Sequence, residues 1–441
     1  MKFPVLRSLL LISALALFPA ANATIASAET DVSREFAPLF EVFRLVKANY
    51  VDPTDDTKLV NGAIDGMLKS LDPHSSYETG TEYDTLHSLT EGDYGGLGLS
   101  VTLDEGVVRV IAATADTPAA RAGIKAGDFI THINGQFVVG YSIDEAVDKM
   151  RGKPGTQVKL TIVRQGRDQP FDVTLTRAVI QIKPVKWEVK GDVGIISVSE
   201  FSRNATLGVR QALLGIDSKL GHHPLGYILD LRSDPGGLLD EAVGVSDEFL
   251  QSGEIVSQRG RDPRDIQRWD ATPGDDAHGL PVIVLVDVGT ASASEIVAGA
   301  LQDHHRALIM GERSFGKGSV QSIIPMGDHA ALRLTTARYY TPSGRSIQEG
   351  GIVPDIKVPQ LTDPDYKSRI EPREADLRHH LINEAKVDND VLESDSKPDL
   401  RFSESAAQLK AKGIDDFQLY YALNTIDRLA KVPAASTRTS H

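Results

Sequence analysis

The sequence predicts an α/β core interrupted by a smaller β-rich module and flanked by helical arms, and three patterns carry that prediction. From about residue 185, short continuous apolar runs alternate with helical segments, as strands do when helices cover both faces of their sheet. Between 86 and 177 the runs are separated by glycine turns, the pattern of a compact β module. Residues 34–71 repeat apolar positions at helical spacing. At 441 residues the chain is too long for one core, so several domains are expected.

Taken in order, Lys2 and Arg7 precede the apolar run "SLLLISALALF", and small residues follow it. "ANA" at 21–23 and "ASA" at 26–28 both fit a signal-peptidase site, so residues 1–28 read as an export signal, with an uncleaved anchor as the alternative. The run is shorter than the roughly 20 residues that cross a bilayer. No later segment is long and apolar enough to span, and a bacterial periplasm fits best. Residues 29–85 read as a helical arm in two blocks split by "VDPTDD". Phe36, Leu39, Phe40, Phe43 and Val46 share one face, and Leu59, Ile64, Met67 and Leu68 form a second stripe.

In residues 86–178, "YGGLGLSVTL", "VVRVIAA", "DFITHING" and "QVKLTIVR" read as strands, and "SIDEAVDKMRG" as a helix. Ser142 caps that helix and Glu145 completes the capping box. The proline-containing "VIQIKPVKW" leads into the core, residues 179–360. There "GYILDLR", "PVIVLVD" and "RALIMGE" read as strands, the first two followed by the turns "SDPGG" and "VGTA" and then by helices. The loop "RSFGKG" and the strands "SVQSIIPM" and "ALRLTTARYY" complete it. Residues 361–441 are polar, with helical segments such as "FQLYYALNTIDRLA" and a disordered end, "PAASTRTSH".

Composition narrows the chemistry. The chain has no cysteine, which excludes a disulfide scaffold, a thiolate metal site and a cysteine nucleophile. Removing residues 1–28 with Lys2 and Arg7 takes the formal charge from −14 to −16, and so acidic a surface argues against nucleic acid as a partner. Half of the twelve histidines occur as doublets, at 222–223, 304–305 and 379–380. Neither G-x-S-x-G nor H-E-x-x-H is present and metal spacing is absent, so the doublets read as solvated surface and no metal or cofactor is expected.

The stretch "GTASASEIVAG", 289–299, places Ser292 and Ser294 at the start of a helix. Ser292 and Glu295 form a capping-box pattern, which explains one serine structurally. The same position suits a nucleophile, because helix N-terminal amides favour a developing alkoxide and oxyanion. This stretch alone leaves both readings, and both serines, open. A serine nucleophile needs a base, and Lys317 in "SFGKGSVQ" becomes one if desolvation lowers its pKa from about 10.4 to near 7. Gln321 lies four positions on and would share a strand face with Lys317, orienting the amine without supplying a charge. Gly236 and Gly237, between a strand and a helix, together with the amide of Ala293, offer N–H donors for an oxyanion hole.

Taken together, these residues resemble the carboxyl-terminal processing, or tail-specific, serine proteases over roughly 35–357. The most specific element is "SASEIVAGALQDHHRALIMGERSFGKGSVQ", with 25 residues from Ser292 to Lys317 and 4 more to Gln321. The family often has a serine where this chain has Thr290. The resemblance selects Ser292 over Ser294 as nucleophile, with Lys317 as base and Gln321 beside it, and implies a crotonase-like or ClpP-like α/β protease core. The inserted module resembles a PDZ domain, whose carboxylate-binding loop would be Gly95, Gly96, Leu97, Gly98 and Leu99, with the bound peptide adding as a strand. Arg151 is the candidate for coupling that domain to the core, and Asp303 is expected to be structural. The implied partners are proteins or peptides with free C-terminal tails. The helix-bearing ends point to homo-oligomerisation and to an adaptor controlling access. Two rivals are weighed. A trypsin-like protease with a PDZ module lacks its His-Asp-Ser set here, and a non-catalytic PDZ scaffold or chaperone is opposed by the intact Ser292, Lys317 and Gln321.

Overall fold

The computed structural model describes residues 20–104, 106–262, 264–327, 329–363, 366, 372–384 and 401–431. The chain divides into two compact units, Met1–Met67 and Leu68–His441. Most of the proposed export signal and the end "PAASTRTSH" lie outside the described residues. Among the described residues no helix is long and apolar enough to cross a membrane.

In the first unit, helix Ala20–Asn49 is followed by a helix that begins at Asp56, so the break falls at the proline-containing "VDPTDD". Lys47 Nζ clips the two helices together through Asp56 Oδ2 at 2.6 Å. On the first helix Phe36, Leu39 and Phe40 are exposed, while Phe43 and Val46 are half-buried.

In the larger unit, the β module is an antiparallel sheet in the order Leu99–Asp104, Val107–Ala113, Phe129–Ile133, Gln157–Val163, Phe171–Thr176. Alternate residues such as Val108, Ile130, Leu160 and Ile162 are fully buried in its own core. The Ser142 capping box forms in both directions, Ser142 N–H to Glu145 Oε2 at 2.8 Å and Glu145 N–H to Ser142 Oγ at 3.2 Å.

The core sheet runs Val185–Lys190, Val193–Val198, Gly226–Asp230, Val282–Val286, Leu308–Gly311, Ile356–Lys357, parallel after the first pair. All five residues of Val282–Val286 are buried, as their unbroken apolar run requires. Tyr227, Leu229 and Val284 face helices Ala205–Leu220, Leu239–Asp247 and Ala293–Asp303. Ile228, Ile283 and Leu285 alternate onto the other face, which helix Phe417–Leu429 covers with Leu419, Ala422 and Ile426. That C-terminal helix is therefore part of the core packing. A second sheet holds Ser76–Thr79, Ala330–Tyr340, Gly253–Gly260, Ile266–Ala271 and Ser319–Pro325. Its strand Ser76–Thr79 falls within the stretch expected to be a helical arm. Asp303 accepts the Ser343 N–H at 2.9 Å, a structural role.

One arginine ties the C-terminal helix to the core. Arg232 Nη2 lies 2.7 Å from Asp230 and 2.8 Å from Asp416, and Nη1 donates to Gln418 at 3.1 Å. Asp416 also caps the helix, accepting the Leu419 N–H at 3.0 Å. Replacing Asp416 by alanine removes the cap and strands part of a mostly buried guanidinium. The expected cost is about 2–3 kcal/mol, with amide-exchange protection lost first in 417–429. A uniform loss of protection across the core would contradict this local role.

Candidate active site

Ser292 caps helix Ala293–Asp303 with φ 56° and ψ −114°, a region that side-chain-bearing residues rarely occupy. It is the single partly exposed residue between Thr290 and Leu301. Ser292 and Glu295 stand as a capping-box pair, but the hydrogen bond that joins them runs backwards. Ser292 N–H donates to Glu295 Oε2 at 2.8 Å, while the Ser292 hydroxyl makes no capping bond. Ser294 differs: it is fully buried and its Oγ donates to the Asp234 carbonyl at 3.0 Å. Thr290 Oγ1 likewise donates to the Leu231 carbonyl at 2.8 Å. Of the three neighbouring hydroxyls, two lock the turn to the loop after strand Gly226–Asp230, whereas the Ser292 hydroxyl makes no side-chain cap hydrogen bond among the described residues.

Glu295 does more than cap. Its fully buried carboxylate accepts four donors: Ser292 N–H and Lys317 N–H (2.9 Å) on Oε2, Gly316 N–H (2.7 Å) and Ser314 Oγ on Oε1. Burial pushes its pKa up to about 7 against the pull of those donors. The carboxylate thereby ties the serine turn to the lysine loop, a role that a cap motif in sequence does not signal.

Gly316 (φ 95°) and Gly318 flank Lys317 because the segment 348–351 presses on the loop. A Cβ on Gly318 would lie 2.5 Å from Gln348 N, and one on Gly316 would lie 2.9 Å from the Glu349 carbonyl. Burial lowers the Lys317 pKa, and the charge of Arg333 lowers it further; Glu374, Glu295 and Asp72 oppose this. Among the described residues no hydrogen bond joins Lys317 Nζ to Ser292 or Gln321. Strand Ser319–Pro325 starts after Lys317 and shifts register between Val320 and Gln321, so simple alternation does not place Lys317 and Gln321 on one face. Gln321 Nε2 instead donates to Ser319 Oγ at 2.9 Å and Thr335 Oγ1 at 3.2 Å. Thr335 Oγ1 donates in turn to the buried Asp72 at 3.1 Å. Among the described residues no hydrogen bond engages the Gln321 carbonyl oxygen.

Gly236 reaches the serine turn: a Cβ there would come 2.8 Å from both Ser292 Cβ and Ala293 N. Its N–H is engaged by Asp234 Oδ1 at 2.9 Å, so what Gly236 brings is a missing side chain rather than a free donor. Among the described residues no hydrogen bond engages the N–H of Gly237 or Ala293. Burial raises the Asp234 pKa to about 7.

In the β module, Gly95 and Gly96 pair with Val179 and Ala178, while Gly98 turns with φ 75° against Thr117. The amides of Leu97 and Gly98 are unengaged among the described residues. Leu99 begins the strand Leu99–Asp104, which is the edge of its sheet. Arg151 stacks 4.8 Å from the Tyr94 ring, its Nε without a hydrogen bond. It borders a 630 Å³ cavity shared by Tyr83, Lys153 and His329.

Comparison with known proteins gives the family. Residues 192–358 match peptidase family S41, 109–164 match the PDZ domain, and 18–80 match the activating protease CtpB N-terminal domain. The carboxy-terminal-processing protease of Bartonella bacilliformis is 46% identical over 391 residues, covering 87% of this chain and 90% of that one. A probable CtpA-like serine protease of Staphylococcus epidermidis is 35% identical over 330 residues, 74% of this chain and 65% of its own length. Among solved structures, the photosystem II D1 C-terminal processing protease is 30% identical, covers 72% of this chain and 92% of that one, and has a TM-score of 0.43. The chain is a serine-type peptidase that carries a PDZ domain, and it belongs to peptidase family S41, with the carboxy-terminal-processing proteases.

Proposed function

We propose that the chain is an exported endopeptidase that selects protein substrates by their C-terminal tails and cleaves them through a Ser292–Lys317–Gln321 mechanism. One observation carries this reading: Glu295 binds the backbone of Ser292 and Lys317 with a single carboxylate, next to the one partly exposed residue of the turn, Ser292. In the mechanism, Ser292 Oγ attacks the scissile carbonyl carbon while neutral Lys317 Nζ takes its proton. The amides of Gly237 and Ala293 receive the oxyanion, with Gly236 leaving the space for it. Collapse expels the amine, protonated by Lys317, and leaves an acyl-enzyme ester. Water then attacks that ester with the same base. The Gln321 carbonyl oxygen accepts from the lysine amine and orients its lone pair.

The substrate tail adds beside the edge strand Leu99–Asp104, its carboxylate on the loop Gly95–Leu99. Arg151, at the mouth of the cavity next to Tyr83 and His329, couples tail capture to the core. Residues 1–28 direct export to the periplasm. The exposed Phe36, Leu39 and Phe40 support self-association, and an adaptor would act on the same arms.

The test uses an unfolded protein with an apolar C-terminal tail. Ser292→Ala and Lys317→Ala are each expected to lower kcat at least about a thousandfold, with tail-peptide affinity unchanged. Amidating the tail should raise KM. Cleavage that survives Lys317→Ala would remove the lysine from the mechanism.

The rate should rise with pH along a limb set by Lys317 losing its proton, below the ordinary lysine range. Arg333→Gln removes a positive neighbour, so the Lys317 pKa rises and the limb moves to higher pH. A pH–rate profile lowered without displacement would argue against the assignment. Glu295→Gln turns an NH2 donor toward two of four donors. It should cut kcat about a hundredfold through misplaced groups, with tail binding intact.

A further inference from the structure

At the starting ends of the two central strands of the core sheet, the structure gathers two histidines and an aspartate that are far apart in sequence. Asp217 lies in the last turn of helix Ala205–Leu220, His223 follows that helix, and His278 precedes strand Val282–Val286. One potential ligand atom from each lies within 4.8 Å of the others. His223 Nδ1 is 2.8 Å and His278 Nε2 3.9 Å from the same oxygen, Asp217 Oδ2. The two rings stand 4.4 Å apart between centroids, tilted by 54°. The 222–223 doublet, expected as plain solvated surface, divides in two. His222 Nδ1 lies 2.8 Å from the His223 carbonyl, whereas His223 turns to Asp217.

We propose that Asp217, His223 and His278 form a binding site for a divalent transition-metal ion of borderline softness, of which Zn²⁺ is the type. Two imidazole nitrogens and one carboxylate oxygen make a donor set that Zn²⁺ accepts, with water in the fourth position, while Mg²⁺ and Ca²⁺ favour oxygen alone. Bonds of about 2.0–2.2 Å place tetrahedral ligand atoms roughly 3.3–3.5 Å apart. The 2.8 and 3.9 Å separations around Asp217 Oδ2 bracket that spacing, so small side-chain rotations complete the site. On binding, the ion takes the place of the proton between His223 Nδ1 and Asp217 Oδ2. Both imidazoles bind as neutral ligands, and any proton they carry goes to solvent.

Groups behind the ligands are already fixed. Tyr227, fully buried, donates its hydroxyl to Asp217 Oδ1 at 2.9 Å, which holds Oδ2 toward the rings as outer partners of metal ligands do. His278, at φ 55°, is presented by a turn built on Asp275. That carboxylate accepts the Ala277 and Gly279 N–H groups at 2.9 and 3.1 Å and is anchored by Arg306 Nε at 3.0 Å. The side chains of His223 and His278 are 58% and 50% exposed, open to an entering ion. Strands Gly226–Asp230 and Val282–Val286 begin beside this cluster, and the same strands end at the loops that carry Gly236 and Ser292. The ion therefore clasps two surface connections and takes no part in peptide cleavage.

Equilibrium dialysis of the full chain against Zn²⁺, with Co²⁺ as a spectroscopic substitute, tests the site. The wild type should bind one more Zn²⁺ than a His223→Asn/His278→Asn double variant. Its Co²⁺ spectrum should show visible bands of a four-coordinate ion that the double variant lacks. Zn²⁺ should raise the thermal midpoint of the wild type alone, with Mg²⁺ and Ca²⁺ unable to compete. Tyr227→Phe should weaken Zn²⁺ binding about tenfold. Because both histidines are half exposed, the double variant should fold, as its circular dichroism and metal-free midpoint would verify, and should cleave peptide like the wild type. Equal Zn²⁺ stoichiometry and equal thermal response in the two proteins would overturn the site, as would competition by Mg²⁺. Loss of cleavage in the folded double variant would overturn its purely structural role.

Discussion

A buried carboxylate with no ion-pair partner among the described residues holds the serine turn and the lysine loop of this peptidase together. Glu295 is met by hydrogen-bond donors, two on each oxygen. Burial raises its pKa, so the charge is expensive to keep, and only a full complement of hydrogen bonds makes it tolerable. Losing any one donor leaves a fully buried oxygen short of a partner. Such an arrangement is cooperative: the serine turn, the lysine loop and the Ser314 hydroxyl are in place together or not at all.

The strained backbone at Ser292 follows from the same constraint. Its N–H must point back to Glu295 while Ala291 N–H donates to the Asp234 carbonyl at 3.0 Å, and a positive φ satisfies both. Gly236 then has to pass within contact of Ser292 Cβ, which a side chain would prevent. Ser233 N–H on Asp287 at 2.8 Å closes the interlock between the two loops. Rigidity is thus concentrated where two strand ends meet, and the one hydroxyl outside the interlock is the one that reaches solvent.

Much of this was legible in the primary structure because it is local. Unbroken apolar runs such as "PVIVLVD" announce doubly covered strands, and the capping pairs Ser142–Glu145 and Ser292–Glu295 occupy fixed spacings. What was not legible depends on distant partners. The second task of Glu295 needs the 314–317 loop to arrive from 19 or more residues away. The bulge before Gln321 breaks an alternation that spacing alone assumes, and the Asp72–Thr335 contact that orients its amide spans 263 positions. Strand Ser76–Thr79 is too short and polar to be told from a helix end until Ala330–Tyr340 pairs with it. The polar tail gave no sign that Phe417–Leu429 covers a sheet face, because its apolar positions read equally as a free amphipathic helix.

That last helix orders events in time. The central sheet keeps Ile228, Ile283, Leu285 and Met310 open on one face until Leu419, Ala422 and Ile426 arrive. Asp416, which starts the helix, also reaches Arg232 at the head of the loop that carries Gly236. A growing chain would thus have synthesised Ser292 and Lys317 well before it possessed the segment that steadies the neighbouring loop. During synthesis that apolar face would stay open to water until the helix emerges, so the half-made core is where misassembly would begin.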